Sequence, residues 1–249
     1  MDLTRVQECV EAALGPSASW RLGLLLYGSQ ARGTARNESD VDVLELVRSA
    51  PRASSNGFVN VTQYTPAALE SLALNGSLFV THLKQDGIVL QDPDRILSDV
   101  LNKYRPPRDY RSVREQLRIV SGVLDPSALD FARHAAALGG LGIYLLRTAL
   151  YVDSVERGLP NFDLDSLTSN RAELHALMRD RRRGEWGPEA ISLIYGELGR
   201  LTAVKRNDVG SVIGYAALHS NRPDLTVMFT SVLSGGRELD YSALTLPPF

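Results

Sequence analysis

Two aspartates separated by one residue, Asp40 and Asp42, close a segment that begins with a glycine-bounded turn. Residues 28–42 read Gly-Ser-Gln-Ala-Arg-Gly-Thr-Ala-Arg-Asn-Glu-Ser-Asp-Val-Asp. The first half, from Gly28 and Ser29 to Gly33, can bring backbone N–H groups and a hydroxyl to a phosphate. The second half offers two carboxylates that leave the same face of the chain if residues 40–42 are extended. Like charges this close are costly unless cations lie between them. A phosphate cradle beside a clamp for a divalent metal points to phosphoryl or nucleotidyl transfer.

The flanks must position these groups. Leu22-Gly23-Leu24-Leu25-Leu26-Tyr27 is a short apolar run that reads as a buried strand. Val41-Asp42-Val43-Leu44-Glu45-Leu46-Val47 alternates, placing Asp40, Asp42 and Leu44 on one face and Val41, Val43 and Glu45 on the other. That pattern predicts an acidic strand whose aspartates face a cleft and whose Glu45 points away from any metal.

Strand, glycine turn and acidic strand, with Gly28-Ser29, Gly33 and Ser39-Asp40-Val41-Asp42 at this spacing, resemble the signature of the DNA polymerase β-like nucleotidyltransferase superfamily. The match is to its minimal nucleotidyltransferase branch with a following helical domain. The likeness covers about the first hundred residues and its motif about fifteen. It implies an α+β fold, with a small mixed-sheet nucleotidyltransferase core followed by an α-helical bundle. Its site would use Asp40, Asp42 and Asn60 as catalytic positions and Asp40 and Asp42 as ligands of Mg²⁺ or Mn²⁺. Gly28, Ser29, Arg32, Gly33 and Ser39 would bind a nucleoside triphosphate, with Arg32 neutralising a phosphate oxygen or lying on the surface.

In that superfamily a third carboxylate sits on a neighbouring strand. The candidate strand here is Phe58-Val59-Asn60-Val61-Thr62-Gln63-Tyr64, followed by Thr65-Pro66, an N-cap and a first-turn proline. Matched on Tyr64-Thr65-Pro66, the acidic position falls on Asn60, and a shift of two would put Thr62 there. An amide is a neutral ligand and a poor base. Three readings follow: activity with two aspartates, an acid supplied by Asp86, Asp92 or Asp94, or a nucleotide-binding copy without turnover.

The 249 residues allow one large or two small domains, and the net charge of −2 gives no general pull toward nucleic acid or anionic membranes. A single cysteine, Cys9, excludes an internal disulfide framework and falls on the apolar face of a first helix. No leader-like opening or run of about 18 apolar residues is evident, so the expectation is a cytoplasmic chain without a membrane partner.

Helical spacing of Leu3, Val6, Val10 and Leu14 predicts that first helix, stopped at Gly15-Pro16. Residues 48–57 read as a mobile loop and 66–74 as a helix. Residues 78–84 and 88–91 read as a β-hairpin around Gln85-Asp86-Gly87, giving a mixed sheet of four or five strands with helices on one side. A short helix is expected from Asp92-Pro93 to about Leu101. Tyr104-Arg105-Pro106-Pro107-Arg108 is the expected boundary between a core (1–103) and a helical domain (104–249). Within the latter, helices are expected over 109–123, 126–157 with a bend at Gly139-Gly140, 171–180, 188–204 and 208–220.

The helical half would choose the acceptor. Arg147 in an apolar stretch is either ion-paired or aimed at a phosphate, and Arg133-His134 could share its face. The basic run Arg179 to Arg183, near Trp186, is a solvated face or an RNA grip. The apolar tail Leu246-Pro247-Pro248-Phe249 suggests docking. The resemblance implies a bacterial enzyme moving a nucleoside monophosphate to a protein or nucleic-acid hydroxyl, including oligonucleotide synthesis. It also implies a toxin–antitoxin or anti-phage setting and a toxin, antitoxin or effector partner. The alternatives are a catalytically impaired antitoxin or scaffold and an aminoglycoside-type small-molecule nucleotidyltransferase. No P-loop or kinase signature is present.

Overall fold

The computed structural model describes residues 3–15, 20–36, 39–51, 53–180, 186–219 and 221–233. The chain divides into two compact units, one running to Arg108 and the other from Asp109. The first unit contains, in order, α1 (Leu3–Leu14), β1 (Arg21–Tyr27), α2 (Gly28–Arg32), β2 (Val41–Val47), β3 (Ala53–Asn56), β4 (Val59–Tyr64), α3 (Pro66–Leu74), α4 (Leu78–Asp86), β5 (Ile88–Gln91) and α5 (Ile96–Asn102).

The five strands form one sheet in the order β3-β4-β2-β1-β5. β2 runs parallel to β4 and antiparallel to β1, while β5 pairs antiparallel with β1 and β3 with β4. The sheet is therefore mixed, and β2 lies at its centre. Period-two alternation sends Val41 and Val43 to one face, where they pack with Leu24, Leu26, Val59 and Val61 under Val6 and Val10 of α1. Leu44 and Leu46 go to the other face, with Leu25 and Tyr27, against Leu69 of α3, Phe79 and Leu83 of α4, and Leu97 of α5.

Three expectations are corrected here. Helices cover both faces of the sheet, not one, because both sets of alternating residues are apolar and each needs a cover. Residues 78–86 are the helix α4, not the first arm of a hairpin. Ser77 caps it by accepting a bond from the Phe79 N–H at 3.2 Å, and Phe79, Val80 and Leu83 are buried together. Residues 53–56, read as loop, pair with β4 as a short edge strand. The helix expected from Asp92 begins at Ile96 instead. The Asp92 carboxylate accepts from the N–H groups of Leu97 and Ser98 at 3.0 and 2.8 Å, so it acts as the cap of α5.

A buried charge sits inside this sheet. Glu45 of β2 is fully buried, as is nearly all of the Arg21 side chain. Arg21 Nε donates to Glu45 Oε1 at 2.5 Å, and Gln63 Nε2 donates to Glu45 Oε2 at 2.7 Å. The expectation that Glu45 points away from the aspartate face agrees with this packing.

The second unit is helical. It contains α6 (Arg111–Val120), a 3₁₀ turn (Ser121–Leu124), α7 (Phe131–Glu156), α8 (Leu164–Thr168), α9 (Ala172–Asp180), α10 (Pro188–Thr202), α11 (Val212–Leu218) and α12 (Pro223–Leu233). α8 and α12 were not expected from the sequence. α7 is the central helix, packed on α6, α8, α10 and α12. It is long and apolar enough to cross a membrane, yet 78% of that stretch is buried in the fold, as befits a core helix. Gly139 has a packing role: a Cβ there would fall 2.0 Å from the Trp186 ring, so the glycine makes room for the indole. Arg181, Arg182 and Arg183 of the basic run lie outside the described residues, as does the tail 246–249.

The Arg21–Glu45 pair yields a stability prediction. Glu45→Ala leaves the Arg21 guanidinium buried without its counter-charge and should cost about 3–5 kcal/mol. Urea unfolding measures it, and a loss below about 1 kcal/mol would mean that water reaches Arg21.

Candidate functional site

One end of the sheet gathers the chemistry-bearing residues. β1 ends at Tyr27, and the chain enters α2 through Gly28, whose φ of +75° is left-handed. β2 and β4 begin at the same end. Tyr27 lies opposite Asp42, and Asp42 opposite Asn60, so the three residues form a row across adjacent strands. Opposed residues share a face, which here is the face covered by α3, α4 and α5.

Gly28 explains why the turn starts with glycine. A Cβ at this position would meet Asp42 Oδ2 at 2.7 Å, and an L-residue would also be strained at this φ. The carboxylate therefore lies directly against the first residue of the turn. α2 is a single short turn of helix, closed by Gly33 at φ +73°. The Gly33 N–H donates to Gln30 O at 3.2 Å and the Thr34 N–H to Ser29 O at 3.0 Å. A helix this short offers the N–H groups of its first residues no acceptor of its own. Ser39 bonds back to Arg36: its Oγ accepts from the Arg36 N–H at 2.8 Å, and its own N–H donates to Arg36 O at 2.9 Å. Asp40 follows at the mouth of β2, partly exposed, two residues from Asp42.

Asn60 is where strand matching put it, beside Asp42. Its Nδ2 donates to Asp42 Oδ1 at 3.2 Å. The amide thus holds one oxygen of the carboxylate by a charge-assisted bond and adds no negative charge of its own. Thr62, the alternative position, lies two residues further along the strand, opposite Leu44, and its Oγ1 is 3.5 Å from the Tyr27 hydroxyl.

Of the other proposed acids, Asp92 and Asp86 bond to other groups. Asp92 caps α5, and Asp94 is exposed in the turn that precedes it. Asp86, at the end of α4, accepts from Arg32 Nη1 at 2.8 Å and lies 3.3 Å from His82 Nε2. Arg32 Nη1 is also 3.2 Å from His82 Nε2. Burial works to raise the Asp86 pKa, but hydrogen bonds from His82 and Arg32, with their charges, hold it below the usual carboxylate range. The Arg32 charge is therefore tied to α4, and the triad anchors the C-terminal end of α2. Sequence reasoning weighed Arg32 and Asp86 separately and had no signal linking residues 54 apart. Tyr27 was read only as strand, although its ring packs edge-on against Phe79 and His82 beneath the row.

Could these residues hold a divalent metal? Among the described residues no group of three His, Cys, Asp or Glu side chains converges. Mg²⁺, however, is commonly bound by one or two carboxylates, with substrate phosphates completing the set. Asp40 and Asp42 supply that number, and the Cβ-free space at Gly28 leaves Asp42 Oδ2 beside the turn where a phosphate would enter. The donor set fits a metal brought together with a polyphosphate.

Two predictions follow from this geometry. Gly28→Ala forces Asp42 away from the turn and strains the backbone, so it should destabilise the core by at least about 1–2 kcal/mol; chemical denaturation that shows no change would contradict the contact. Asp86, with its pKa lowered in the fold, stabilises the protein above its unfolded pKa, and this contribution is lost as pH falls through the folded value. The melting-temperature gap between the wild type and Asp86→Asn should therefore be widest near pH 7 and narrow below about pH 4. A gap independent of pH would disprove the pairing.

No protein-family model matches the chain, and no curated protein matches it. Among solved structures, it is similar to a nucleotidyltransferase-like protein from Exiguobacterium sibiricum 255-15, at 14% identity, over 88% of this chain and 80% of that one, with a TM-score of 0.30. Superposition this loose decides nothing about activity. What the site can do follows from its own residues.

Proposed function

We propose that this chain is a metal-dependent nucleotidyltransferase, which moves a nucleoside monophosphate from a nucleoside triphosphate to an acceptor hydroxyl. The observation that carries the proposal is the contact between Asp42 and Gly28, which joins a phosphate turn to a carboxylate at one end of the sheet. In this reading the first-turn N–H groups and the Ser29 hydroxyl bind the triphosphate. Gly33 and Ser39 shape the turns on either side, and Arg32 positions α2 through Asp86. Asp40 and Asp42 hold Mg²⁺ or Mn²⁺. When bound, the metal supplies positive charge against the triphosphate and makes the acceptor hydroxyl more acidic. The acceptor oxygen forms a bond to the α-phosphorus, the bond to the bridging oxygen breaks, and pyrophosphate leaves. Asn60 orients Asp42 and takes no proton, so the hydroxyl proton leaves to solvent. The acceptor is a protein or nucleic-acid hydroxyl in a toxin–antitoxin or anti-phage setting; the sequence resemblance alone supports that part.

A second reading has its own observation. The Asn60 amide occupies one oxygen of Asp42 where a third carboxylate would be expected. A site with this neutral cap could bind nucleotide without turnover, as an antitoxin or scaffold would. The two readings part on Asn60→Asp, which restores the acid: a large gain in transfer favours the binding protein, and a small change favours the enzyme.

Asp42→Ala should reduce transfer from α-labelled nucleoside triphosphate by on the order of a hundredfold or more, with an unchanged circular-dichroism spectrum. The assay is label incorporation with Mg²⁺ or Mn²⁺ and cell lysate, and full incorporation by the variant would refute the proposal.

A further inference from the structure

The chain contains two Asn-Gly pairs, Asn56-Gly57 and Asn75-Gly76. An asparagine before glycine can lose its amide without an enzyme. The backbone nitrogen of the glycine gives up its proton and attacks the side-chain Cγ, the Cγ–Nδ2 bond breaks, and ammonia leaves. Water then opens the cyclic imide at either carbonyl, giving aspartate or isoaspartate. Water is the only co-reactant. The reaction needs a glycine N–H that is free to lose its proton and room for the ring to close. The fold treats the two pairs differently on both counts. Asn75-Gly76 is closed. Asn75 ends α3, and the Gly76 N–H donates to Ala73 O at 3.3 Å. The Asn75 amide is held as well, with Nδ2 donating to Ser71 O at 2.8 Å. Gly76 is buried, and a Cβ on it would lie 2.6 Å from the Pro107 ring.

Asn56-Gly57 is open. Gly57 and Phe58 form the turn between β3 and β4, and Gly57 takes the positive φ, +62°, favoured at its first position. Asn56 and Gly57 are both exposed, and a Cβ on Gly57 would meet nothing within 4 Å. Among the described residues the Gly57 N–H has no acceptor. β3 is an edge strand of 4 residues, which frays at little cost and frees the turn to close the ring. The Asn56 side chain reaches another element: its Nδ2 donates to Ala13 O at 3.2 Å, in the last turn of α1. Carbonyls at a helix end lack partners inside the helix and carry the negative end of its dipole. A carboxylate in place of the amide has no donor to offer and sets like charge against that end. α1 is the helix whose Val6 and Val10 cover Val41 and Val43 of the sheet. We propose that Asn56 is a site of spontaneous deamidation, and that its conversion loosens α1 from the β3–β4 turn. The same chemistry does not supply an acid at Asn60, because the Val61 side chain follows it in a strand paired on both sides. The proposal does not depend on the reaction proposed for the core.

The test is peptide mapping by mass spectrometry of the full chain after weeks in warm, mildly alkaline buffer. Asn56 should gain the mass of an amide-to-acid exchange, with isoaspartate as a second peak of the same mass. It should convert on the order of tenfold faster than Asn75, whose glycine N–H is bonded. Asn56→Gln, with a side chain too long to close the same ring, should show no conversion at that position. Asn56→Asp imitates the product: hydrogen exchange of the α1 amides should be about fivefold faster than in the wild type, while β2 amides keep their protection. Protein aged until Asn56 has converted should show the same change, so the test holds even where the variant folds poorly. Any one of three results overturns the proposal: Asn56 intact after this treatment, Asn75 converting as fast as Asn56, or unchanged α1 exchange once position 56 is acidic.

Discussion

The buried Glu45 carboxylate sets the register on which the rest of the core depends. It is gripped from β1 by Arg21 and from β4 by Gln63, on either side of the central strand. In a sheet, a slip of one residue turns every side chain to the opposite face. A slip of β2 would pull Glu45 from both partners and leave a charge in an apolar layer, which is far more costly than a mismatch of valines and leucines. The apolar strands favour burial but discriminate weakly between registers. The charge network selects one, and in that one Tyr27, Asp42 and Asn60 stand in a row. The acid that takes no part in the site is thus the group that aligns it.

The turn is fixed at both ends by different means. At its start Gly28 admits the Asp42 carboxylate, a steric condition that one missing carbon satisfies. At its end Arg32 is tied to Asp86 and His82 on α4, an electrostatic condition. The first is local and leaves a mark in the sequence, a glycine before a serine. The second joins distant segments and leaves none. This contrast accounts for much of what was legible. Gly28, Ser29, Asp40, Asp42 and the Asn60 strand could be read from spacing, because strand alternation and turn chemistry act over a few residues. The hold on Arg32 could not.

The misread elements have similarly specific causes. Leu78 to Lys84 is apolar enough for a strand, and Asp86-Gly87 resembles a hairpin turn. The helical signals were Ser77 as a cap and the i,i+4 pair of His82 and Asp86, both outweighed by the apolar run. β3, built from Ala53-Ser54-Ser55-Asn56, lacks the β-branched residues that mark strands and owes its conformation to pairing with β4. In the helical unit, Gly139-Gly140 read as a bend, and the structure adds that Gly139 is a seat for an aromatic ring. Paired glycines leave the same trace for both purposes, and only the neighbouring helix or loop tells them apart.

The seating of that ring has a practical corollary. The chain has two tryptophans, and each unit owns one. Trp20, 43% exposed, precedes β1 with the Arg21 guanidinium carbon 5.6 Å from its ring centre. Trp186 rests on Gly139 in the helical unit. A single Trp→Phe exchange in either unit leaves a chain with one tryptophan, so indole emission, excited selectively over the nine tyrosines, reports on the unit that keeps it. The protein carries built-in optical labels for following its two halves separately.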